Sequence, residues 1–417
     1  MSRSAAERDE GAGSSASGVP PQDMSPAGIE PVVDVVVAVH TTARPIARAV
    51  GSVLATTAPV RITVVCHHVA PAEVDALLDD VRARLRGSPH QLRLLALDDG
   101  TRSPSGPFNL GLDEATAPFV AIMGSDDALE SGAVDSWLAR QREHDADAVV
   151  PRLRHGRVEG AALVRTAAGA LARLGLVGSD VVPTPPARPG RRRVSGVRDR
   201  LAYRSAPLGL VRRETLEALA LRMVPGLGVG EDVAFSTRLW LEARVVLDRR
   251  GPAYLIGPDA ADRVTFAHKP AAAELACVTD LVAQPWFARL PAVARRAVAV
   301  KLARIHVCGA VHNRPDPARW TSADLDAFVA TVTALDAAAP GYAVVLSRAD
   351  RDLLDALAQH GGAARAPGAA ATELLALSRR RRRHGTPVTL LPRDPRQVLA
   401  REAPLRVMVA SVLARLG

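Results

Sequence analysis

Aromatic side chains are scarce in this chain, making up 3% of its 417 residues. A surface that reads nucleic acid by interleaving basic and aromatic residues has little to draw on, and no nucleic-acid-binding module is recognisable, so nucleic acid ranks last among candidate partners. Cysteine is also sparse. Cys66, Cys277 and Cys308 lie far apart with no CxxC spacing, which fits neither a disulfide framework nor a zinc site and suits buried thiols of a reducing compartment. No apolar run reaches the roughly 20 residues that span a bilayer. The N-terminus lacks the apolar stretch of a signal peptide. A cytoplasmic protein is the expectation. Neither GxGxxG nor GxxxxGK[ST] follows the first apolar run, which argues against a dinucleotide-binding Rossmann domain and against a P-loop NTPase.

What is abundant is aliphatic and basic. Hydrophobic residues make up 48% of the chain, and the formal charge is +9, carried almost entirely by arginine. Such a balance favours polyanionic partners: phosphates, acidic polymers or an anionic membrane surface. The length predicts two domains with a tail. Residues 1–30, rich in Ser, Ala, Gly and Pro, read as a disordered N-terminal tail. From there strands and helices alternate. Val32–Val39, Val60–Cys66 and Leu92–Leu97 are strand-like runs, with helical spacing over Ile46–Leu54 and Ala72–Leu85. Further strands are expected at Ala148–Val150, Leu208–Val211, Val245–Leu247 and Tyr254–Ile256, the last completing the sheet. This order predicts a mostly parallel α/β sheet with right-handed crossovers. Residues 151–206 form a long basic insertion, expected to be a mobile functional loop.

One strand ends in acid: Pro118-Phe119-Val120-Ala121-Ile122-Met123-Gly124-Ser125-Asp126-Asp127. Ligands of open α/β sheets bind at the carboxyl ends of strands. Adjacent carboxylates there repel unless a cation or a donor-rich ligand neutralises them, and oxygen ligands suit Mg²⁺ or Mn²⁺. The competing reading is an N-cap for a helix starting near Leu129. A second acidic pair, Glu231-Asp232, follows the glycine-rich Pro225-Gly226-Leu227-Gly228-Val229-Gly230 and opens a helix over Val233–Glu242, where capping is again the simpler reading.

Four segments in this order resemble family 2 glycosyltransferases of the GT-A fold: VVVAVHTTARPIARAVGSVL, Phe108-Asn109-Leu110-Gly111-Leu112, AIMGSDDALESGAVDSWL and Glu231-Asp232-Val233-Ala234-Phe235-Ser236-Thr237-Arg238-Leu239. The resemblance covers roughly residues 31–270. It implies a GT-A, Rossmann-like, mostly parallel sheet domain over 31–270, followed by an α-helical region over 271–417. It also implies a nucleotide-sugar donor, a divalent metal (Mg or Mn) and an inverting displacement. On this resemblance Asp232 is the general base, with Glu231 as runner-up or acceptor-positioning residue. His40, Thr41, Arg44, Asn109, Ser125, Asp126 and Asp127 bind the donor, and Asp126 and His268 hold the metal. The implied enzyme transfers a hexosyl or N-acetylhexosaminyl group to a glycan, polymer or lipid-linked acceptor in cell-envelope or extracellular polysaccharide synthesis. The alternative is a catalytically degenerate GT-A protein that binds nucleotide-sugar or anionic polymer. A GT-A-like nucleotidyltransferase would want a glycine-rich loop after the first strand, which His40-Thr41-Thr42-Ala43-Arg44-Pro45 does not provide.

The chain departs from the family's pattern in three places. Gly124 stands where members often carry the first acid of Asp-x-Asp-Asp. Cys66-His67-His68 follows the second strand, where an acid commonly contacts the nucleobase, while Asp98-Asp99-Gly100-Thr101 resembles that motif one strand later. Phe108 replaces the usual arginine before Asn109. Beyond residue 271 the spacing is helical, over 272–282, 292–311, 322–335 and 347–359, with an Ala/Gly linker at 361–370. Arg379–Arg383 is a run of five arginines, and residues 401–416 form a basic amphipathic helix. This region is expected to pack, to support a homo-oligomer, or to hold the protein at the anionic inner membrane face.

Overall fold

Runs of β-branched residues set the central sheet. The structure, a computed structural model, describes residues 29–155, 158–159, 162–163, 181–182, 193–257, 269–360, 366–383 and 385–416. Residues 1–28 of the tail expected over 1–30, most of the basic insertion and the segment carrying His268 lie outside the described residues. Strands β1 (Val33–Val39), β2 (Val60–His67), β3 (Gln91–Leu97) and β4 (Phe119–Gly124) are parallel, with β1 between β2 and β4. Further along the chain come β5 (Ala148–Pro151), β6 (Arg193–Val194), β7 (Leu210–Arg212) and β8 (Val245–Asp248). The eight strands run in the order β6-β8-β5-β7-β4-β1-β2-β3, with β7 antiparallel to both its neighbours. Successive side chains of a strand face opposite sides. Val33, Val35, Val37 and Val39 accordingly enter one core and Val36 the other.

Tyr254–Ile256 does not join this sheet. It pairs with Ala128–Leu129 and Leu153–His155 in a second, small sheet. That pairing corrects the sequence expectation and carries Tyr254 over the end of β4. The helix expected over 72–85 is also two pieces, Pro71–Asp75 and Asp79–Leu85. Asp79 and Asp80 favour a fresh N-terminus, where the helix dipole welcomes acids.

At the amino end of β1 lies a charge the sequence reading passed over. Asp34 is fully buried. Its carboxylate accepts from Arg61 Nε at 2.6 Å and Arg61 Nη2 at 2.8 Å, and from the Thr116 and Ala117 backbone N–H groups, both at 2.8 Å. It ties β1, β2 and the entry to β4 together, at the sheet end opposite the acidic strand terminus.

The longer helices beside the sheets are α1 (Ile46–Val53), α2 (Ser105–Asp113), α3 (Ala133–His144) and α4 (Val233–Glu242). Gly111 is the contact point of α2 on β1, since a Cβ there would lie 2.2 Å from Val36 Cγ1. The helical region adds α5 (Ala271–Ala283), α6 (Ala292–Leu302), α7 (Ser322–Ala338), α8 (Arg348–Gln359), α9 (Pro367–Arg381) and α10 (Pro404–Leu416). α6 passes into a π-helical turn, Ala303–Val307. α7 starts with a capping box, Thr321 and Asp324 bonding each other's backbone N–H, and Ser347 caps α8 through the Asp350 N–H. The expected linker is partly helical, because α9 begins at Pro367, a residue suited to the first helical turn. One apolar cluster joins Val233 and Ala234 of α4 to Leu275, Cys277 and Val278 of α5 and onward through the helices.

Three of the five consecutive arginines have partners within the helical region, and four of the five are exposed. Arg380 bonds Asp352 at 3.2 Å, Arg381 bonds the buried Asp350 at 2.5 Å, and Arg382 meets His312. No helix among the described residues is long and apolar enough to cross a membrane.

Candidate active site

Parallel strands bring their carboxyl ends to one edge of the sheet. His40 follows β1, His67 closes β2, Asp98 and Asp99 follow β3, and Ser125-Asp126-Asp127 follow β4. The two adjacent acids have different surroundings. Asp126 forms an ion pair with Arg44, Nη1 to Oδ1 at 3.1 Å, and its backbone carbonyl accepts from Arg48 Nη2 at 2.5 Å. Asp127 is tied down on both oxygens. The Tyr254 hydroxyl donates to Oδ2 at 2.5 Å and the Gly257 N–H to Oδ1 at 3.0 Å. Burial raises the Asp127 carboxyl above its ordinary range, with the Tyr254 hydrogen bond opposing and Asp126 adding to the rise. Neither residue caps a helix, because β4 leads into the short strand Ala128–Leu129 and α3 begins only at Ala133 behind Gly132.

Gly124 has a structural reason. A Cβ at this position would sit 2.6 Å from Asp127 Oδ2 and 3.1 Å from Asp126 Oδ1, and its N–H donates to the Tyr254 hydroxyl at 3.2 Å. The acid that family members often carry here has no room while Asp127 folds back onto Tyr254. Gly124→Asp is therefore expected to lower stability by about 1–3 kcal/mol, the usual range for overpacking, as read by denaturant titration.

The first loop is open. His40 is exposed, and Thr41 is partly exposed with its Oγ1 accepting the Ala43 N–H at 3.3 Å. Ser125 is buried. Asn109 plays a framework part that its motif does not reveal. Its Nδ2 donates to the Met223 carbonyl at 2.9 Å and its Oδ1 accepts the Met223 N–H at 2.8 Å. The Val224 N–H in turn donates to the Glu231 carbonyl at 2.9 Å. Ser103, after β3, donates to the Leu227 carbonyl. Asn109 and Ser103 thus stitch the strand-end loops to the segment that carries Glu231 and Asp232. The carboxamide of Asn109 has a structural role of its own beside the donor-binding role expected of it.

Glu231 and Asp232 are partly exposed at the start of α4. Asp232 occupies the N-cap position, yet its side chain makes no capping hydrogen bond. Gly230, at φ 74°, lets the backbone approach α5, because a Cβ there would lie 2.8 Å from both Cβ and Sγ of Cys277. Burial raises both carboxyls above the ordinary range. Asp232 adds to the rise on Glu231, whereas Lys301 opposes the rise on Asp232. A carboxyl whose folded value is raised stabilises the fold below the ordinary carboxylate range and loses that contribution as pH rises through the raised value. Glu231→Gln should therefore melt higher than the parent at about pH 8, with the difference shrinking toward about pH 4, in thermal scans at the two pH values.

One cluster was not legible as a unit. His67 Nε2 lies 2.9 Å from Asp99 Oδ1, and His68 Nδ1 lies 2.8 Å from Asp98 Oδ1. Burial works against the charged form of Asp99, but the His67 and Thr101 hydrogen bonds hold its carboxyl down at about 2. No acid follows β2 in sequence, yet β3 lies beside β2 and delivers one to the same place. Ligand atoms of His67, His68 and Asp99 lie within 4.8 Å of one another, close enough to hold a metal ion.

Residues 34–219 match the sequence profile described as Glycosyl transferase family 2. This domain belongs to glycosyl transferase family 2. The chain is thereby a glycosyltransferase, although the profile match ends short of Glu231 and Asp232. No curated protein matches at a significant level. Among solved structures, S. aureus TarS 1–349 superposes with a TM-score of 0.63 at 15% identity, covering 84% of this chain and 91% of that one. The same TarS fragment in complex with UDP-GlcNAc gives a TM-score of 0.64 at 16% identity over the same shares. A longer TarS chain gives 0.58 at 15% identity, covering 85% of this chain and 56% of that one. These likenesses establish the GT-A fold, and their coverage carries them past the family 2 domain into the helical region.

Proposed function

We propose that this glycosyltransferase moves a hexosyl or N-acetylhexosaminyl group, with inversion, from a nucleotide-sugar to a cell-envelope or extracellular polysaccharide acceptor. The observation that carries the reading is Asp232, a carboxylate at a helix start that does not cap its helix and is raised toward neutrality by burial. A general base of this kind works best with a pKa near the working pH. Asp232 takes the proton of the acceptor hydroxyl as the acceptor oxygen bonds to the anomeric carbon. The bond from that carbon to the diphosphate oxygen breaks, and its electron pair leaves with the diphosphate. Glu231 orients the acceptor. Arg44 and Arg48 bring positive charge to the strand end where the diphosphate departs. His67 and Asp99 line the nucleobase end, with Asp99 standing in for the acid that does not follow β2. The likeness to TarS, solved with UDP-GlcNAc and with UDP, supports a nucleoside-diphosphate sugar as donor.

Asp126 would hold a divalent ion at this strand end, in place of or beside its ion pair with Arg44, while Asp127, with both oxygens accepting hydrogen bonds from Tyr254 and Gly257, keeps the loop in shape. Mg²⁺ commonly binds through one or two carboxylates with substrate phosphates and water, which a single aspartate satisfies. Bound there, such an ion would neutralise charge on the departing diphosphate. His268, the second ligand implied by the resemblance, lies outside the described residues.

The test is a panel of nucleoside-diphosphate sugars and glycan acceptors, assayed for nucleotide release with Mg²⁺, with Mn²⁺ and with chelator. Turnover that falls on chelation and in Asp126→Ala is the expected result. Tight donor binding with no turnover across the panel would instead establish the degenerate alternative.

A further inference from the structure

The chain contains two lysines, Lys269 and Lys301, among 53 basic residues. Arginine is its default cation, so a fully buried lysine is a specific choice. Lys301 lies near the C-terminal end of α6 at 1% exposure. A buried ammonium is costly unless paired and hydrogen-bonded. The π-helical turn after α6 supplies one partner, and such turns recur at functional sites. It turns His306 back so that Nε2 lies 2.9 Å from Lys301 Nζ. His306 Nδ1 lies 3.7 Å from Cys277 Sγ, and that thiol reaches the Glu274 carbonyl at 3.7 Å. The carbonyl can only accept, so the thiol donates to it and accepts from Nδ1–H. His306 is then the Nδ1–H tautomer, and Nε2 accepts from the ammonium. Every hydrogen bond in the row points away from Lys301. Cys277 is also the side chain against which Gly230 packs, directly before Glu231 and Asp232.

We propose that Lys301, carried by the helical region and held by His306, is the positioning residue for Asp232: its ammonium supplies the opposite charge that keeps the base ionised. This rests on Asp232 being the base. The groups sharing the space are Glu231 and Asp232 from the α4 entry, Cys277 from α5, Lys301 from α6 and His306 from the π turn. The segment Leu201–Tyr203 also packs on α4, with its Tyr203 hydroxyl accepting from Arg304 at 3.1 Å. Burial drives Lys301 down to about 8 while Asp232 pulls it up, and burial together with Lys301 holds His306 neutral at about 3. Lys301 is therefore the cation of the cluster, and its removal leaves two adjacent carboxylates facing a neutral imidazole.

The experiment compares kcat–pH profiles of the full chain, Lys301→Met, His306→Gln and Asp232→Asn. It adds a double-mutant unfolding cycle between positions 232 and 301. Loss of a neighbouring positive charge raises a carboxyl. Lys301→Met is therefore expected to move the acid limb of kcat up by about one pH unit or more, which is about tenfold in kcat below the limb, with donor KM little changed. His306→Gln should move it the same way by less, and it reads the same limb if Lys301→Met does not fold. The unfolding cycle should show positions 232 and 301 to be coupled. An acid limb that stays in place in both variants overturns the proposal while leaving Asp232 as base. Parental turnover in Asp232→Asn would remove the base, and the proposal with it, whatever the unfolding cycle shows.

Discussion

Asparagine at position 232 should lower kcat by on the order of 10²–10⁴, the usual worth of a positioned general base, with donor affinity near the parent value. The two readings of this residue part on that outcome. A helix cap would show as lost stability, since removing a cap costs about 0.5–2 kcal/mol, with turnover per folded molecule unchanged. The Asp232 side chain makes no capping hydrogen bond, so the loss is expected in kcat. Steady-state kinetics of nucleotide release, paired with donor titration by calorimetry, distinguishes the two. The parent profile should also carry an acid limb above the ordinary carboxylate range, because burial raises this carboxyl. Activity rises as pH climbs through that raised value, since the base works only when ionised.

The largest stability effect is expected at the far end of the sheet. Asp34→Ala deletes the shared acceptor for Arg61 and for the Thr116 and Ala117 N–H groups. Breaking a buried pair from one side typically costs 3–5 kcal/mol, roughly, because the surviving charge is stranded. Arg61 keeps a hydrogen bond to Thr116 Oγ1, which softens the loss without replacing the carboxylate. Urea unfolding of Asp34→Ala should show the midpoint falling steeply, with kcat per folded molecule at the parent level. Asp232 and Asp34 are thus expected to give opposite phenotypes, one catalytic and the other structural.

The strands were legible because β1, β2 and β4 are apolar runs, buried on both faces, that no amphipathic helix would show. The helices over 322–335 and 347–359 were legible from their apolar spacing, and Thr321 and Ser347 cap them. Contacts made across sequence were not. Tyr254 reaches Asp127 from 127 positions away, and nothing in Tyr254-Leu255-Ile256 distinguishes a ligand of an acid from a sheet residue. The motif at Asn109 marked a position without revealing that its carboxamide holds Met223. His67 and Asp99 read as separate departures because their meeting depends on β2 and β3 being neighbours. Lys301 stands in a helical stretch with no motif around it, so only the fold shows what it faces. In the arginine run the pattern was legible but its partners were not: three of the five side chains meet Asp350, Asp352 and His312.

The apolar cluster that runs from Val233 and Ala234 into Leu275, Cys277 and Val278 bears on how this enzyme could change over evolutionary time. A catalytic domain joined to its neighbour by a linker can trade that neighbour for another by recombination. Here the break would fall inside a hydrophobic core and would leave the first turn of α4, with the acids that open it, without its packing partner. Substitutions on either side of that core are therefore expected to be tolerated only in compatible pairs, and exchange of the helical half to be tolerated least.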